Sequence, residues 1–170
     1  MLTAKVFSSL HYITEAYRTK LNTISETQFQ LTPPIGGWSF SEVYAHIFDA
    51  SILSLQAMEK CMEDLGKKHS TAFVVKVILL LGILPPGVKY KIPQILESRV
   101  RKVTKKEAEE LILRFSRQLE RDYKKVDHAS PEMKTPHPRL GYLNAKQWLR
   151  FIEIHLKHHL KQLKRIENSF

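Results

Sequence analysis

Apolar residues recur at steps of three and four along four stretches of this chain, which is the spacing of amphipathic helices. The first stretch falls within residues 2–28, and the segment LTPPIGG ends it, because its prolines and glycines interrupt helical hydrogen bonding. Each of the other three stretches begins with a potential capping box: Ser39 with Glu42, Thr104 with Glu107, and Asn144 with Gln147. We expect helix two to run from about Phe40 to Gly66, helix three to end near Val126, and helix four to approach the C-terminus.

This pattern predicts an all-α fold, a four-helix bundle formed by one domain over residues 1–170. The connections after helices two and three are long, so a simple up-and-down topology is not implied. No clear alternation of apolar and polar residues is visible, and a sheet would have to be small or lie within residues 86–100. The stretch DHASPEMKTPHPRLGY, with three prolines, is predicted to be a surface loop at the mouth of a site.

The most apolar segment, Phe73–Leu84, is shorter than the roughly 20 residues that a membrane-spanning helix requires, and Lys76 interrupts it. We therefore predict no transmembrane segment. A buried core helix is favoured over a lipid-facing surface segment. At the N-terminus, His11 and Glu15 stand where a signal peptide would continue its apolar run, so we expect no leader.

The composition, 43% apolar and 26% charged, is that of an ordinary globular protein. The lone Cys61 cannot form an internal disulfide, which excludes a secreted disulfide scaffold and favours a reducing, cytoplasmic setting. The chain has 27 basic and 17 acidic residues, a net charge of +10. Residues 1–85 are neutral overall, so the excess belongs to residues 86–170 and would attract an anionic partner.

Nucleic acid is one such partner, but the distribution of the charges argues against it. The basic side chains of helices three and four alternate with acidic and amide residues on polar faces, and most aromatic residues lie in the apolar stripes. No nucleic-acid-binding motif is present. A non-catalytic basic binding module for nucleic acid or an anionic surface, with a structural metal or none, remains the alternative to an enzyme.

Histidines on the apolar faces are the candidate chemistry. His155 and His159 are four residues apart on helix four, so their rings lie one turn apart on one face and can bind the same metal ion. His46 lies in the apolar stripe of helix two and could supply a third ligand, since three neutral imidazoles leave coordination positions for water or substrate. Asp49 and Gln162, each three residues after a histidine, are candidates to orient these rings.

Two alternatives stay open from spacing alone. A histidine on an apolar face is often a core residue with an ordinary hydrogen bond, and a histidine-rich surface helix can contain an i, i+4 pair by chance. His158 lies between the pair and should face solvent. The motifs of dinucleotide-binding, P-loop and serine-esterase sites are absent from the sequence.

Two phrases resemble the DinB/YfiT-like superfamily: WSFSEVYAH, which opens helix two, and HPRLGYLNAKQWLRFIEIHLKHHLKQL, which leads into helix four. The resemblance implies a four-helix bundle that binds a divalent metal, nickel or zinc, through His46, His155 and His159. It also implies a metal-dependent enzyme that acts on a small molecule.

Characterised branches of that superfamily are thiol-dependent transferases and isomerases, and many are dimers. The resemblance therefore suggests a transferase or hydrolase acting on a small electrophilic substrate, with a low-molecular-weight thiol as cosubstrate, in a homodimer. Residues 67–103 match no part of the family pattern. We further expect a pocket walled by helices three and four, with Arg114 and Arg117 favouring an anionic substrate or thiol.

Overall fold

The computed structural model of the chain describes residues 3–84 and 100–170. Within these ranges six α-helices, one 3₁₀ helix and three short strands follow each other along the chain. The helices are α1 (Thr3–Thr23), α2 (Glu26–Gln30), α3 (Phe40–Met62), α4 (Phe73–Leu81), α5 (Lys105–Asp122) and α6 (Ala145–Glu167), and the 3₁₀ helix is Tyr123–His128. The strands are β1 (Lys67–Lys68), β2 (Met133–His137) and β3 (Gly141–Leu143).

The four long helices form the predicted bundle. Helices α1 and α3 each pack against both α5 and α6, so α5 and α6 occupy diagonal positions. Contacts from Ser41 to Val103 and from Glu59 to Arg121 show that α3 and α5 run in the same direction. Two parallel neighbours need a return connection along their full length, which explains the long segment between α3 and α5.

A chain of tyrosines joins three of these helices in the core. The hydroxyl of Tyr44 on α3 donates to the backbone carbonyl of Tyr17 on α1, at 2.8 Å. The Tyr17 hydroxyl in turn donates to the carbonyl of Leu156 on α6, also at 2.8 Å. Both rings are fully buried and meet edge to face, so the core satisfies its polar atoms while it packs aromatic surface.

All three predicted capping boxes are present, with both reciprocal hydrogen bonds, at the starts of α3, α5 and α6. The predicted ends are less accurate. Helix one does not extend to Gln28, because Ser25 caps the separate helix α2. Helix α3 ends at Met62 rather than Gly66, and the α-helical part of helix three ends at Asp122 before the 3₁₀ helix.

A small antiparallel sheet in the order β1-β2-β3 corrects the prediction that residues 127–142 form only a loop. Thr135 in β2 anchors the sheet to the bundle, since its hydroxyl donates to the Ala57 carbonyl at 3.0 Å and accepts from Trp148 Nε1 at 2.8 Å. Gly66 precedes β1, and a Cβ there would lie 2.8 Å from the Lys134 backbone. Residues 86–99, most of the other segment considered for a sheet, lie outside the described residues.

The apolar segment after β1 is only half a core helix. Val75 and Leu79 of α4 are buried, whereas Phe73 and Leu80 are about four-fifths exposed. Of the long helices in the described ranges, α6 is the main packing partner of α4, so one face is covered and the expectation of a buried core helix was wrong for the other face. None of the helices in the described ranges combines the length and hydrophobicity that a membrane span requires.

Candidate metal centre

Helices α3 and α6 bring the three predicted histidines together. His46 comes from the first half of α3, and His155 and His159 come from the middle of α6. One ring nitrogen from each histidine lies within 4.8 Å of the corresponding nitrogens of the other two. The site exists because α3 and α6 are neighbours, so their apolar stripes face each other.

Hydrogen bonds set the orientation of His159. Its Nδ1 lies 2.7 Å from the side-chain oxygen of Gln162, one turn further along α6. An amide oxygen only accepts, so Nδ1 carries the proton and Nε2 is left with its lone pair. That Nε2 lies 3.1 Å from Nε2 of His155. Nitrogens bound to one metal at about 2.0–2.1 Å lie roughly 3–4 Å apart, and the separation of these two nitrogens falls within that range.

Burial keeps these imidazoles neutral. Desolvation lowers the pKa of His46 to about 4 and is the main cause that lowers the pKa of His159 to about 3. The pKa of His155 is lowered well below its usual value by desolvation first and then by the neighbouring histidines. All three rings are therefore unprotonated at neutral pH, which is the state that binds a metal.

Aromatic rings flank the histidines on two sides. The ring centroid of the half-buried Trp38 lies 5.0 Å from that of His46. Phe151, one turn before His155, stacks on it with centroids 5.3 Å apart and an interplanar angle of 19°. The cluster thus has apolar surroundings, which weaken competition from water and strengthen electrostatic interactions inside the site.

The model of the DinB superfamily matches residues 10–163, a range that contains all three histidines. The chain belongs to the DinB superfamily. A crystal structure titled "TT2238, a four-helix bundle protein" is similar in fold, with a TM-score of 0.58 and 19% sequence identity over 96% of this chain and 99% of that one. No curated protein matches the sequence significantly.

Three further residues near the histidines of this DinB-superfamily chain differ in burial. Asp49 is half-buried one turn after His46, and its action on that ring stays a prediction. His158 is exposed. Glu153, which is not one of the predicted site residues, is buried on α6 with its carboxylate paired to Arg150 and Lys157, so it serves the fold.

The sequence analysis missed His137, at the end of β2. Its ring lies 4.4 Å from Phe151 between centroids, and it is among the groups that lower the pKa of His155. Nδ1 of His137 accepts from the backbone N–H groups of Arg139 and Leu140 at 3.1 and 3.0 Å, so the neutral ring carries its proton on Nε2. The sequence did contain a signal for this residue, because His137 begins the HPRLGY segment and so stands directly before a tight turn.

In the described part of the bundle, helices three and four, which are α5 and α6, lie diagonally and do not pack directly side by side. The expected pocket between them stays a prediction. A groove of about 480 Å³ lies between α1 and α5, where Arg117 lines it together with Phe7 and Arg18. None of the three clustered histidines contributes to that groove.

Proposed function

We propose that this chain is a divalent-metal-dependent enzyme whose metal is held by His46, His155 and His159. The observation that carries the proposal is the convergence of three desolvated, neutral imidazoles from two helices, with Gln162 fixing the tautomer of one. Taking three imidazoles out of water is costly, and a bound ion offsets that cost. Nickel and zinc both suit nitrogen ligands.

A divalent ion in this position would supply Lewis-acid chemistry and would lower the pKa of a water or thiol that it binds. The chain itself contributes orientation and exclusion of water. Gln162 holds His159, while Trp38 and Phe151 cover two sides of the cluster with apolar surface. Among the residues that the structure describes, three protein ligands are assembled, a number that would leave coordination positions of the ion to a small molecule.

The reaction class is a transferase or hydrolase reaction on a small electrophilic substrate, with a low-molecular-weight thiol as the cosubstrate. Support for the thiol comes from the family resemblance, and support for a small apolar or aromatic substrate comes from Trp38 and Phe151. Nε2 of His137 carries a proton and belongs to a ring packed against Phe151, so it is a candidate hydrogen-bond donor to such a substrate. A cytoplasmic homodimer is the setting that we propose.

The first experiment is metal analysis of protein purified without chelators. We expect about one nickel or zinc ion per chain, and we expect His155→Ala to lose it. His158→Ala is the matched control, since His158 lies on the same helix but is exposed. Cobalt substitution should give an absorption spectrum that changes when azide or a small thiol is added.

Three results separate the alternatives. A wild-type chain without stoichiometric metal, which also fails to bind added nickel or zinc, contradicts the proposal. Metal retention by His155→Ala contradicts the assigned ligands. A cobalt spectrum that no azide or thiol perturbs indicates a metal that only stabilises the fold.

A further inference from the structure

Helix α4 exposes a continuous apolar face. At about 100° per residue, Leu80, Phe73, Val77, Leu81 and Val74 fall within an arc of about 120°. Phe73 is 81% exposed and Leu80 is 80% exposed, while Leu81 and Val74 are each 63% exposed. We refer to these five residues as the α4 face. Isolated exposed apolar residues are ordinary, but four such large side chains on one short helix mark an interaction surface.

The helix that carries this face is fixed to the bundle. Val75 and Leu79, on the opposite side, are buried in the core. Arg150 on α6 donates from Nε to the Leu79 carbonyl at 3.0 Å, and so satisfies a backbone acceptor in the last turn of α4. Gly82 then ends the helix in the left-handed conformation. The apolar face is thus presented outward by a secured helix.

The charged residues of the described segment that contains α4 are all basic. Residues 65–84 contain three lysines and no carboxylate. Lys76 is exposed and borders the apolar arc, and Lys67 and Lys68 are exposed in β1 just before the helix. Lys68 pairs with Glu132 at 3.3 Å, so within residues 65–84 Lys67 and Lys76 are the lysines that can meet a partner.

We propose that the α4 face docks this protein on an anionic lipid surface. An apolar arc flanked by lysines can place its side chains at the boundary of the acyl region while the ammonium groups remain among anionic headgroups. A second copy of the chain fits less well. In a two-fold dimer through this face both sets of lysines would approach each other, and the segment offers no carboxylate to neutralise them. Anionic lipid supplies that counter-charge.

Co-sedimentation of the full chain with vesicles tests the proposal. We expect binding to vesicles of phosphatidylcholine with about 30% phosphatidylserine, weak binding to phosphatidylcholine alone, and release by high salt. Leu80→Ser should reduce the partition coefficient about tenfold or more, because a Leu side chain then no longer leaves water. Lys76→Glu should reduce it severalfold on the charged vesicles only.

Tyr12→Ser is the matched control, since Tyr12 is 77% exposed but belongs to α1. It should bind vesicles like the wild type, and all three variants should keep the wild-type melting temperature and metal content. Equal binding to both kinds of vesicle, or none to either, overturns the proposal. The proposal is also overturned if sedimentation equilibrium shows that Leu80→Ser converts a dimer to a monomer and neither form binds vesicles.

Discussion

At the scale of single residues, the contact between Gln162 and His159 makes a sharp prediction about metal affinity. Gln162→Ala removes the acceptor that holds His159 Nδ1, at 2.7 Å, and with it the preference for a free Nε2 lone pair. Loss of such an outer partner typically weakens metal binding about 10–100-fold. We expect this loss in a competition titration with a chromogenic chelator. Gln162→Glu, which keeps an acceptor, should retain most of the affinity, and equal losses in both variants would contradict the assigned role.

The depressed histidine pKa values predict how the stability of metal-free protein depends on pH. In the unfolded chain these rings take up protons near pH 6.5, whereas in the folded chain His46 does so only near pH 4 and His159 near pH 3. Below about pH 6.5 the unfolded state therefore binds more protons, and the free energy of unfolding falls as the pH decreases towards 4.

Melting curves of wild type and His46→Gln between pH 4 and 7 measure this effect. The wild type should lose stability towards pH 4 by up to about 1.4 kcal/mol per pH unit for each histidine involved. The variant should show a shallower decline, because one of the groups is absent. Parallel curves for the two proteins would show that His46 is not buried in neutral form.

The sequence could indicate His155 and His159, since their spacing fixes them to one face of a helix that already had a continuous apolar stripe. It could place His46 on an apolar face too, but only the packing of α3 against α6 shows that this face meets the other two histidines. His137 could not be found this way. It joins the site at the end of β2, where the short hairpin with β3 turns its ring toward α6, and the helical periodicity of the sequence does not report such a contact.

At the scale of secondary-structure elements, the capping residues specified helix starts better than periodicity specified helix ends. Ser39, Thr104 and Asn144 each satisfy backbone N–H groups within three residues, so the information is local. Strand β1 was missed because Lys67–Lys68 is too short to show alternation and pairs with β2 more than 60 residues later. Long-range pairing of this kind leaves little trace in the sequence.

The attachment of α4 predicts unequal effects of two glycine substitutions. Gly82 and Gly36 both have positive φ, of 72° and 74°, so alanine strains either backbone by roughly 1–2 kcal/mol. At Gly36 a Cβ meets nothing within 4 Å, whereas at Gly82 it would lie 2.2 Å from Arg150 Nη2. Arg150 would have to move away from the Leu79 carbonyl and from the buried Glu153 carboxylate.

We therefore expect Gly82→Ala to destabilise the protein by about 1–3 kcal/mol more than Gly36→Ala, the usual range for leaving buried polar groups without partners. Urea denaturation of the two variants measures the difference. Faster proteolysis within α4 of Gly82→Ala would locate the damage. Equal stability of the two variants would show that Arg150 relocates without loss and does not secure α4.

At the scale of the whole molecule, the position of each helix decides which basic side chains lie close enough to the histidines to affect them electrostatically. The excess of +10 belongs to residues 86–170, which contain both α5 and α6. These two helices lie diagonally across the bundle, so their basic residues face different surroundings. Arg165 on α6 is among the groups that lower the pKa of His159, so its field extends to the cluster. Arg117 on α5 faces the groove shared with α1.

Charge reversal at these two positions tests that assignment. Interactions between exposed charges fade beyond the Debye length of about 10 Å at 0.1 M salt, so only the nearer arginine should influence an anion at the site. With azide as the probe and cobalt-loaded protein, we expect Arg165→Glu to weaken anion binding severalfold at low salt and less at high salt. Arg117→Glu should leave it unchanged. An equal effect of both variants would mean that the net charge of the molecule, rather than the placement of α6, attracts the anion.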